Sequence, residues 1–483
     1  MNTVKLLIDG QKRDAVDQKT FTRMNPITGE VASVAAAAQP ADVQAALESA
    51  EKAFHVWSKL GPTERRKRLL KAADLMDQRA EEFVLTARQE TGSTNSWYGF
   101  NVHLSANIWR EAAALTTQID GSIIPSDLPG SLSMGFRVPC GVILSIAPWN
   151  APVILATRAV AMPLACGNTV ILKASELCPA THALIGEVLN DAGIGEGVIN
   201  VVTNAPEDAA SVVEQLIAHP AVKRVNFTGS TKVGKIIAGT AAKYLKPVLL
   251  ELGGKAPVIV CEDADLDQAV EGVAFGAFFN QGQICMSTER LIVSEKIADE
   301  FLEKLVAKIK RIKVGSPDLE DTTFAYLESE NSVKRITALI EDAVAKGASL
   351  PVPLQTDGAL MHPLIVNGIT PEMKLYYEES FGPVATMTTF KTEEEAVRLA
   401  NDTAYGLSSA VFTQNLNKGL DIAKQIDSGI CHINGPTVHD EAQAPFGGSK
   451  ESGYGRFGSK SAINEFTELR WVTIQTTPRQ YPL

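Results

Sequence analysis

The sequence is short of the features that mark several functional classes. Its six cysteines are Cys140, Cys166, Cys178, Cys261, Cys285 and Cys431; they form no CxxC pair and have no histidine at metal-ligand spacing. That argues against a structural zinc site, and scattered cysteines in a long chain fit a reducing compartment. Basic residues are outnumbered 45 to 56, for a formal charge of −11. General nucleic-acid binding, which needs a basic face, is therefore not expected. No short repeat or low-complexity tract is present. The opening MNTVKLLIDGQKRD has only a brief apolar run before charge returns and does not read as a secretory signal. Val138 to Thr157 carries no charge, but Pro139, Pro148 and Pro152 interrupt it and Asn150 would be costly in lipid. A strand, a turn and a helix inside a buried core are expected there, not a membrane span. The expectation is a cytoplasmic enzyme.

What is present is a long α/β pattern. With 483 residues and 45% apolar content, two or three domains are expected. Pro62–Thr91 places Leu69, Ala73, Met76, Ala80, Phe83, Val84 and Ala87 on one helical face. From residue 140, five apolar runs alternate with helical stretches: GVILSIA, NTVILKA, GVINVVT, VKRVNFT and KPVLLEL. Such alternation predicts a parallel sheet covered by helices, with ligands at the carboxyl ends of its strands. A second αβ series starts near 257, where Asp265 is a candidate N-cap and Leu266 to Phe278 a helix. Cys285 follows in a loop. The tail NEFTELRWVTIQTTP alternates like an exposed strand and is expected to pair with another subunit, since open edges need covering.

The strand ends hold the candidate chemistry. APWN ends the first, and Asn150 there offers an amide donor to a developing oxyanion or, equally, a helix cap. LKASE ends the second, so that Glu176 suits the hydroxyls of an adenine ribose, or else Lys173 and Glu176 form a surface ion pair. FTGSTKVGK ends the fourth. Gly229 and Ser230 open a helix whose N-terminus suits a pyrophosphate, but the spacing is neither GxGxxG nor Walker A, and plain capping fits as well. LELGGKAP ends the fifth, where Glu251 is a candidate base of raised pKa or a salt-bridged strand end.

In that order, APWN, LKASE, FTGST, LELGGKAP, FNQGQIC, EESFGPV and PFGGSKESGYGR resemble the aldehyde dehydrogenase superfamily, over almost the full chain. The run from Ala147 to Pro179 is most similar to bacterial aromatic aldehyde dehydrogenases, those for salicylaldehyde, vanillin and benzaldehyde. The resemblance implies a Rossmann-type NAD-binding domain (1–120 and 140–251) and a second α/β catalytic domain (252–460). It also implies a small β oligomerisation element (121–139 and 461–483) joining a homodimer or homotetramer.

It implies, too, that Cys285 attacks the aldehyde as a thiolate while Asn150 and the Cys285 backbone N–H hold the oxyanion. NAD takes the hydride, and Glu251 activates water to hydrolyse the thioester. Ile146, Trp149, Lys173, Glu176, Gly229, Ser230, Glu379 and Phe381 would bind the cofactor. Trp97, Tyr98, Leu155, Arg158, Met286 and Phe446 are candidates for the substrate pocket, the aromatic ones as flat walls. Arg158 is expected to meet an ortho-hydroxyl or the product carboxylate, or to be spent on structure. No metal is implied. The segment VVTNAPEDAA departs from the glycine-rich pattern of many members. Salicylaldehyde, in aromatic hydrocarbon catabolism, is the expected substrate. An aliphatic or semialdehyde substrate, a cofactor-free thiol esterase and a silent binding protein are the alternatives, and Glu251 argues against a CoA-acylating variant.

Overall fold

The computed structural model describes residues 1–482 apart from Glu320. Its first sheet is built on five parallel strands: β1 (Val142–Ile146), β2 (Thr169–Lys173), β3 (Ile199–Val202), β4 (Val222–Thr228) and β5 (Val248–Glu251). In space they lie in the order β5-β4-β1-β2-β3. Short antiparallel strands extend both edges, Gly453–Tyr454 beside β5 and Leu6–Ile8 beside β3. All of β1, β2 and β3 is buried, as the unbroken apolar runs require of a sheet covered on both faces. The chain leaves β1 toward β2 on one side and returns as β4 on the other. That reversal opens a crevice at the carboxyl ends of β1 and β4.

The second sheet is also parallel: β6 (Ala256–Val260), β7 (Thr288–Ser294), β8 (Leu364–Asn367), β9 (Val384–Phe390), β10 (Ser408–Phe412) and β11 (Ile430–Ile433), in the order β8-β9-β7-β6-β10-β11. Gly121–Ile124, Ser131–Pro139 and Thr467–Gln475 form a third, antiparallel sheet. It carries exposed apolar side chains, among them Ile123, Leu469 and Trp471.

Four helices position the site: α1 (Asn95–Leu115), α2 (Pro152–Ala165), α3 (Thr231–Lys243) and α4 (Leu266–Phe278). The carboxylate of Asp265 caps α4 by accepting from the N–H groups of Asp267 and Gln268, both at 3.1 Å. The uncharged stretch from Val138 is the end of one strand, then β1, then α2, and α2 is buried on every side. Among the described residues, no helix is long and apolar enough to cross a membrane.

One helix expected from the sequence is two. The stretch from Pro62 to Thr91 breaks at Arg79, giving Pro62–Gln78 and Ala80–Thr91. Arg79 bonds Glu82 at 2.7 Å and reaches Glu187 and Asp191 of the helix Pro179–Asp191. Leu69, Ala73, Met76, Phe83 and Ala87 remain buried across the break, because both pieces keep one apolar face on the same core.

Glu90, fully buried, fastens this helical layer to the strand Val31–Ala36 and to the helix Pro179–Asp191. Its carboxylate accepts from Ser33 Oγ (2.6 Å), the N–H groups of Ala180 (2.9 Å) and Thr181 (3.0 Å), and Thr181 Oγ1 (2.7 Å). It thus sits at the N-terminus of Pro179–Asp191, where the helix dipole favours an anion. Glu90→Gln puts an amide donor where donors already converge, so thermal and urea unfolding are expected to show a loss of about 2 kcal/mol.

Candidate active site

Two cavities, of about 290 and 310 Å³, meet at three residues that line both: Asn150, Leu155 and Cys285. Each has the size of a small-ligand pocket. The first opens along the crevice of the first sheet. Trp149, Gly229, Ser230, Glu251, Glu379 and Phe381 line it. The second lies between α1, α2 and the end of α4, with Trp97, Phe100, Phe279, Arg158, Met286 and Phe446 in its wall.

Cys285 is delivered by an unusual turn. After α4 the chain takes three residues in left-handed conformation, Asn280 (φ 49°), Gln281 (φ 56°) and Gly282 (φ 71°). For the two that are not glycine this costs roughly 1–2 kcal/mol each. Gly282 cannot be replaced cheaply, because a Cβ there would lie 2.1 Å from the Gly382 carbonyl oxygen. Side-chain amides hold the turn. Asn280 Nδ2 donates to the Asn150 carbonyl at 3.1 Å and the Gln283 carbonyl at 3.3 Å. Ser93 Oγ donates to Gln281 Oε1 at 2.9 Å, and the Glu328 N–H donates to Gln283 Oε1 at 3.1 Å.

Asn150 is no helix cap. Its Nδ2 donates to the Gln283 carbonyl at 3.0 Å, beside the cysteine, and an amide nitrogen has a second N–H to offer. Its own carbonyl accepts from Trp97 Nε1 at 3.1 Å as well as from Asn280. The donor and the thiol are therefore held in one frame.

Glu251 ends β5 with its carboxylate buried and without a hydrogen bond among the described residues. Burial pushes its pKa up to about 7, while the neighbouring Cys285 thiol and the Arg158 charge pull it back. The Cys285 thiol is raised well above its usual value, first by burial and then by the Glu251 carboxyl. Glu379 accepts from the Gly254 N–H at 2.8 Å, and burial together with the Glu289 charge raises it to about 8. A cavity with two such carboxyls beside a cysteine is built for proton movement near neutral pH.

The residues of the first cavity suit a nicotinamide dinucleotide. Gly229 lines this cavity, and its lack of a Cβ is needed for packing, since a Cβ there would lie 2.4 Å from the Phe227 ring. Behind it α3 presents its N-terminus, a place for phosphate, although the Ser230 hydroxyl is itself used to cap Val233 N–H at 3.4 Å. Trp149 and Phe381 meet edge to face at 5.9 Å in its wall. Lys173 and Glu176 lie one strand away, where Lys173 pairs with Ile146 across β1 and β2, and Lys173 Nζ bonds Glu176 Oε1. Asn204 Nδ2 donates to the same Glu176 oxygen at 2.9 Å, so the departing segment VVTNAPEDAA braces this carboxylate. Ile146 is buried and is not among the residues that line the cavity.

The second cavity is aromatic. Phe279 stacks on Phe275 at 4.7 Å and meets Trp97 edge to face at 5.0 Å; Trp97 stacks on Phe100 at 5.9 Å. Tyr98 is not in this wall. It is 1% exposed and points the other way along α1, where its hydroxyl bonds Thr91 Oγ1 at 2.5 Å and accepts from the Ser93 N–H at 3.0 Å. Neighbours on a helix face different directions, so only one of Trp97 and Tyr98 could face the cavity. Arg158 does line it, but as a paired group. Its Nη2 donates to both oxygens of Asp440, at 2.7 and 2.6 Å.

Sequence reasoning passed over Arg335, Asp440, Asn204, Asn280 and Phe279. Arg335 lines the first cavity and donates to the carbonyls of Glu379 (3.3 Å) and Ser380 (2.5 Å). Only Phe275 and Phe279, four apart before the cysteine, left a readable signal. No group of His, Cys, Asp and Glu suited to a metal occurs among the described residues.

The sequence model of the aldehyde dehydrogenase family matches residues 13–472. A vanillin dehydrogenase of Pseudomonas fluorescens is 58% identical, with 100% of both chains covered. The crystal structure of a salicylaldehyde dehydrogenase from Pseudomonas putida G7, complexed with salicylaldehyde, superposes with a TM-score of 0.98 at 48% identity over 100% of both chains. A betaine aldehyde dehydrogenase point mutant from Staphylococcus aureus, in complex with NAD+ and with a BME-modified cysteine, gives a TM-score of 0.94 at 31% identity, covering 99% of this chain and 97% of that one. On this evidence the protein belongs to the aldehyde dehydrogenase family and is an oxidoreductase acting on aldehydes.

Proposed function

We propose that the protein oxidises a hydroxylated aromatic aldehyde, such as salicylaldehyde or vanillin, to its carboxylic acid with NAD as acceptor. The observation that carries this is the junction at Cys285, where a cavity walled by Trp97, Phe100, Phe279 and Phe446 meets a nucleotide-sized cleft. A benzaldehyde ring fits flat, apolar walls better than an aliphatic chain needs them. The similarity to dehydrogenases of vanillin and salicylaldehyde supports the aromatic class.

In this reading Cys285 Sγ gives up its proton to solvent through the open cleft and attacks the aldehyde carbon as the thiolate. The free N–H of Asn150 and the Cys285 backbone N–H stabilise the oxygen that becomes negative. The nicotinamide ring, when bound, supplies the acceptor for the hydride. Loss of the hydride leaves a thioester on Cys285; Glu251 then takes a proton from water, whose oxygen bonds to the acyl carbon as the C–S bond breaks, releasing the acid and returning the Cys285 thiolate. A carboxyl near pH 7 serves as base at neutral pH without being tied up in a salt bridge. Glu379 and Phe381 would hold the nicotinamide end, Gly229, Ser230 and Arg335 the phosphates, and Lys173 and Glu176 the adenine ribose. The Glu176 charge, which would repel a 2′-phosphate, favours NAD over NADP. The exposed apolar side chains of the third sheet support a subunit contact, in a homodimer or homotetramer of a cytoplasmic enzyme. The first, second and third sheets described above suit a division into cofactor, catalytic and oligomerisation elements.

Three outcomes are expected. Cys285→Ser removes aldehyde oxidation, measured as NADH absorbance over a panel of aldehydes; full retained activity would refute the mechanism. Since a base must be ionised, the wild-type rate rises as pH climbs through about 7. Glu251→Gln loses that limb, and its steady-state rate falls roughly 10²–10⁴-fold while a first-turnover burst remains. Glu176→Ala raises the ratio of NADP to NAD turnover about tenfold; an unchanged ratio would show that this carboxylate does not read the ribose.

A further inference from the structure

The aldehyde-side wall holds a charged pair whose second member has no role in the chemistry above. Arg158 on α2 is 6% exposed at its side chain and Asp440 is 8% exposed. Nη2 alone makes both bonds, at 2.7 and 2.6 Å to the two Asp440 oxygens, and the guanidinium also lies over the Phe446 ring, 4.3 Å from its centroid. Arg158, Asp440 and Phe446 all line the second cavity. Among the described residues of that lining, the other titratable side chains are Cys285 and His439, and His439 Nε2 is engaged with Glu441 Oε1 at 2.8 Å. The charge of this wall is thus balanced within the protein.

A lone buried arginine in an aromatic pocket recognises carboxylates, because its fork matches their geometry and burial strengthens the attraction. A carboxylate already seated on the guanidinium opposes that. An incoming carboxylate would have to displace Asp440 or lie beside it, like charge to like charge, among apolar and aromatic walls. Neutral aldehydes meet no such barrier, and a ring hydroxyl can donate to a carboxylate oxygen.

We propose that Asp440 is a specificity-determining residue: it neutralises Arg158 in the cavity wall and so excludes aldehydes carrying a carboxylate, reserving the site for uncharged aromatic aldehydes. The proposal rests on reading the second cavity as the aldehyde's. It also disposes of a semialdehyde reading in which Arg158 grips a substrate carboxylate.

The test compares kcat/KM for 4-carboxybenzaldehyde and for benzaldehyde within each enzyme, so that partial loss of folded protein cancels in the ratio. Wild type is expected to prefer benzaldehyde. Asp440→Asn, the same shape without the charge, is expected to raise the ratio of carboxylated to neutral substrate by about tenfold or more. Asp440→Ser is the second variant and is expected to move the same way. In Arg158→Gln/Asp440→Asn the gain is expected to vanish. An unchanged ratio in the Asp440 variants, a gain that survives loss of Arg158, or a wild type that already favours the carboxylated aldehyde would each overturn the proposal. A wild type that oxidises neither these two aldehydes nor salicylaldehyde nor vanillin would instead count against the proposed function, which keeps the two failures apart.

Discussion

Glu251 is a carboxylate withdrawn from water and given no hydrogen bond in return. Left in isolation it would simply stay protonated. Burial and the Asp440 charge both push its pKa up, and it is held near neutrality because the Cys285 thiol and the Arg158 charge draw it back down. Much of the architecture can be read as holding that balance. β5 fixes the carboxylate at a strand end, the left-handed turn at Asn280 and Gln281 brings the thiol to it, and the amides of Asn150 and Asn280 keep the turn from relaxing. A one-residue slip in the turn would separate the sulfur from both the carboxylate and the amide donor.

The left-handed turn also accounts for the placement of the glycines. Gly282 packs against Gly382, and Gly254 against the Cys285 carbonyl, where an added Cβ would lie 2.2 Å away. The strain is local, and its restraints come from distant segments: Ser93 ahead of α1, Glu328 before the helix Glu330–Ala345, and Trp97 within α1. The cysteine is therefore positioned by the tertiary structure and not by its own loop.

This explains what could be read from the chain. Strand and helix order was legible from residue 140 onward, since buried parallel strands are unbroken apolar runs and α4 begins at a recognisable Asp cap. The break at Arg79 was not, because no glycine or proline marks it and the ion pairs that favour it come from another helix. At the site, residues that end strands announced themselves by position: Asn150, Ser230 and Glu251. Asp440 did not, since an acidic residue among HDEAQ looks like a solvated loop until α2 brings Arg158 against it. Tyr98 is expected in the pocket from the family resemblance and its flat ring, and the structure places it elsewhere. A tyrosine next to a tryptophan on a helix must face elsewhere, and its hydroxyl found Thr91 and Ser93.

The meeting of two cavities at a single sulfur has a further consequence, for divergence. Apart from the three residues they share, the linings of the two sides are separate: the aromatic wall comes from α1, α2, α4 and the Pro436–Phe446 segment, the other from the ends of β1, β4 and β5 and the Glu379 loop. If the two cavities serve as proposed, a substitution in the aromatic wall changes which molecule is admitted while leaving the electron acceptor's seat untouched. Descendants of such a chain can acquire new diets one side chain at a time, without reinventing the reaction.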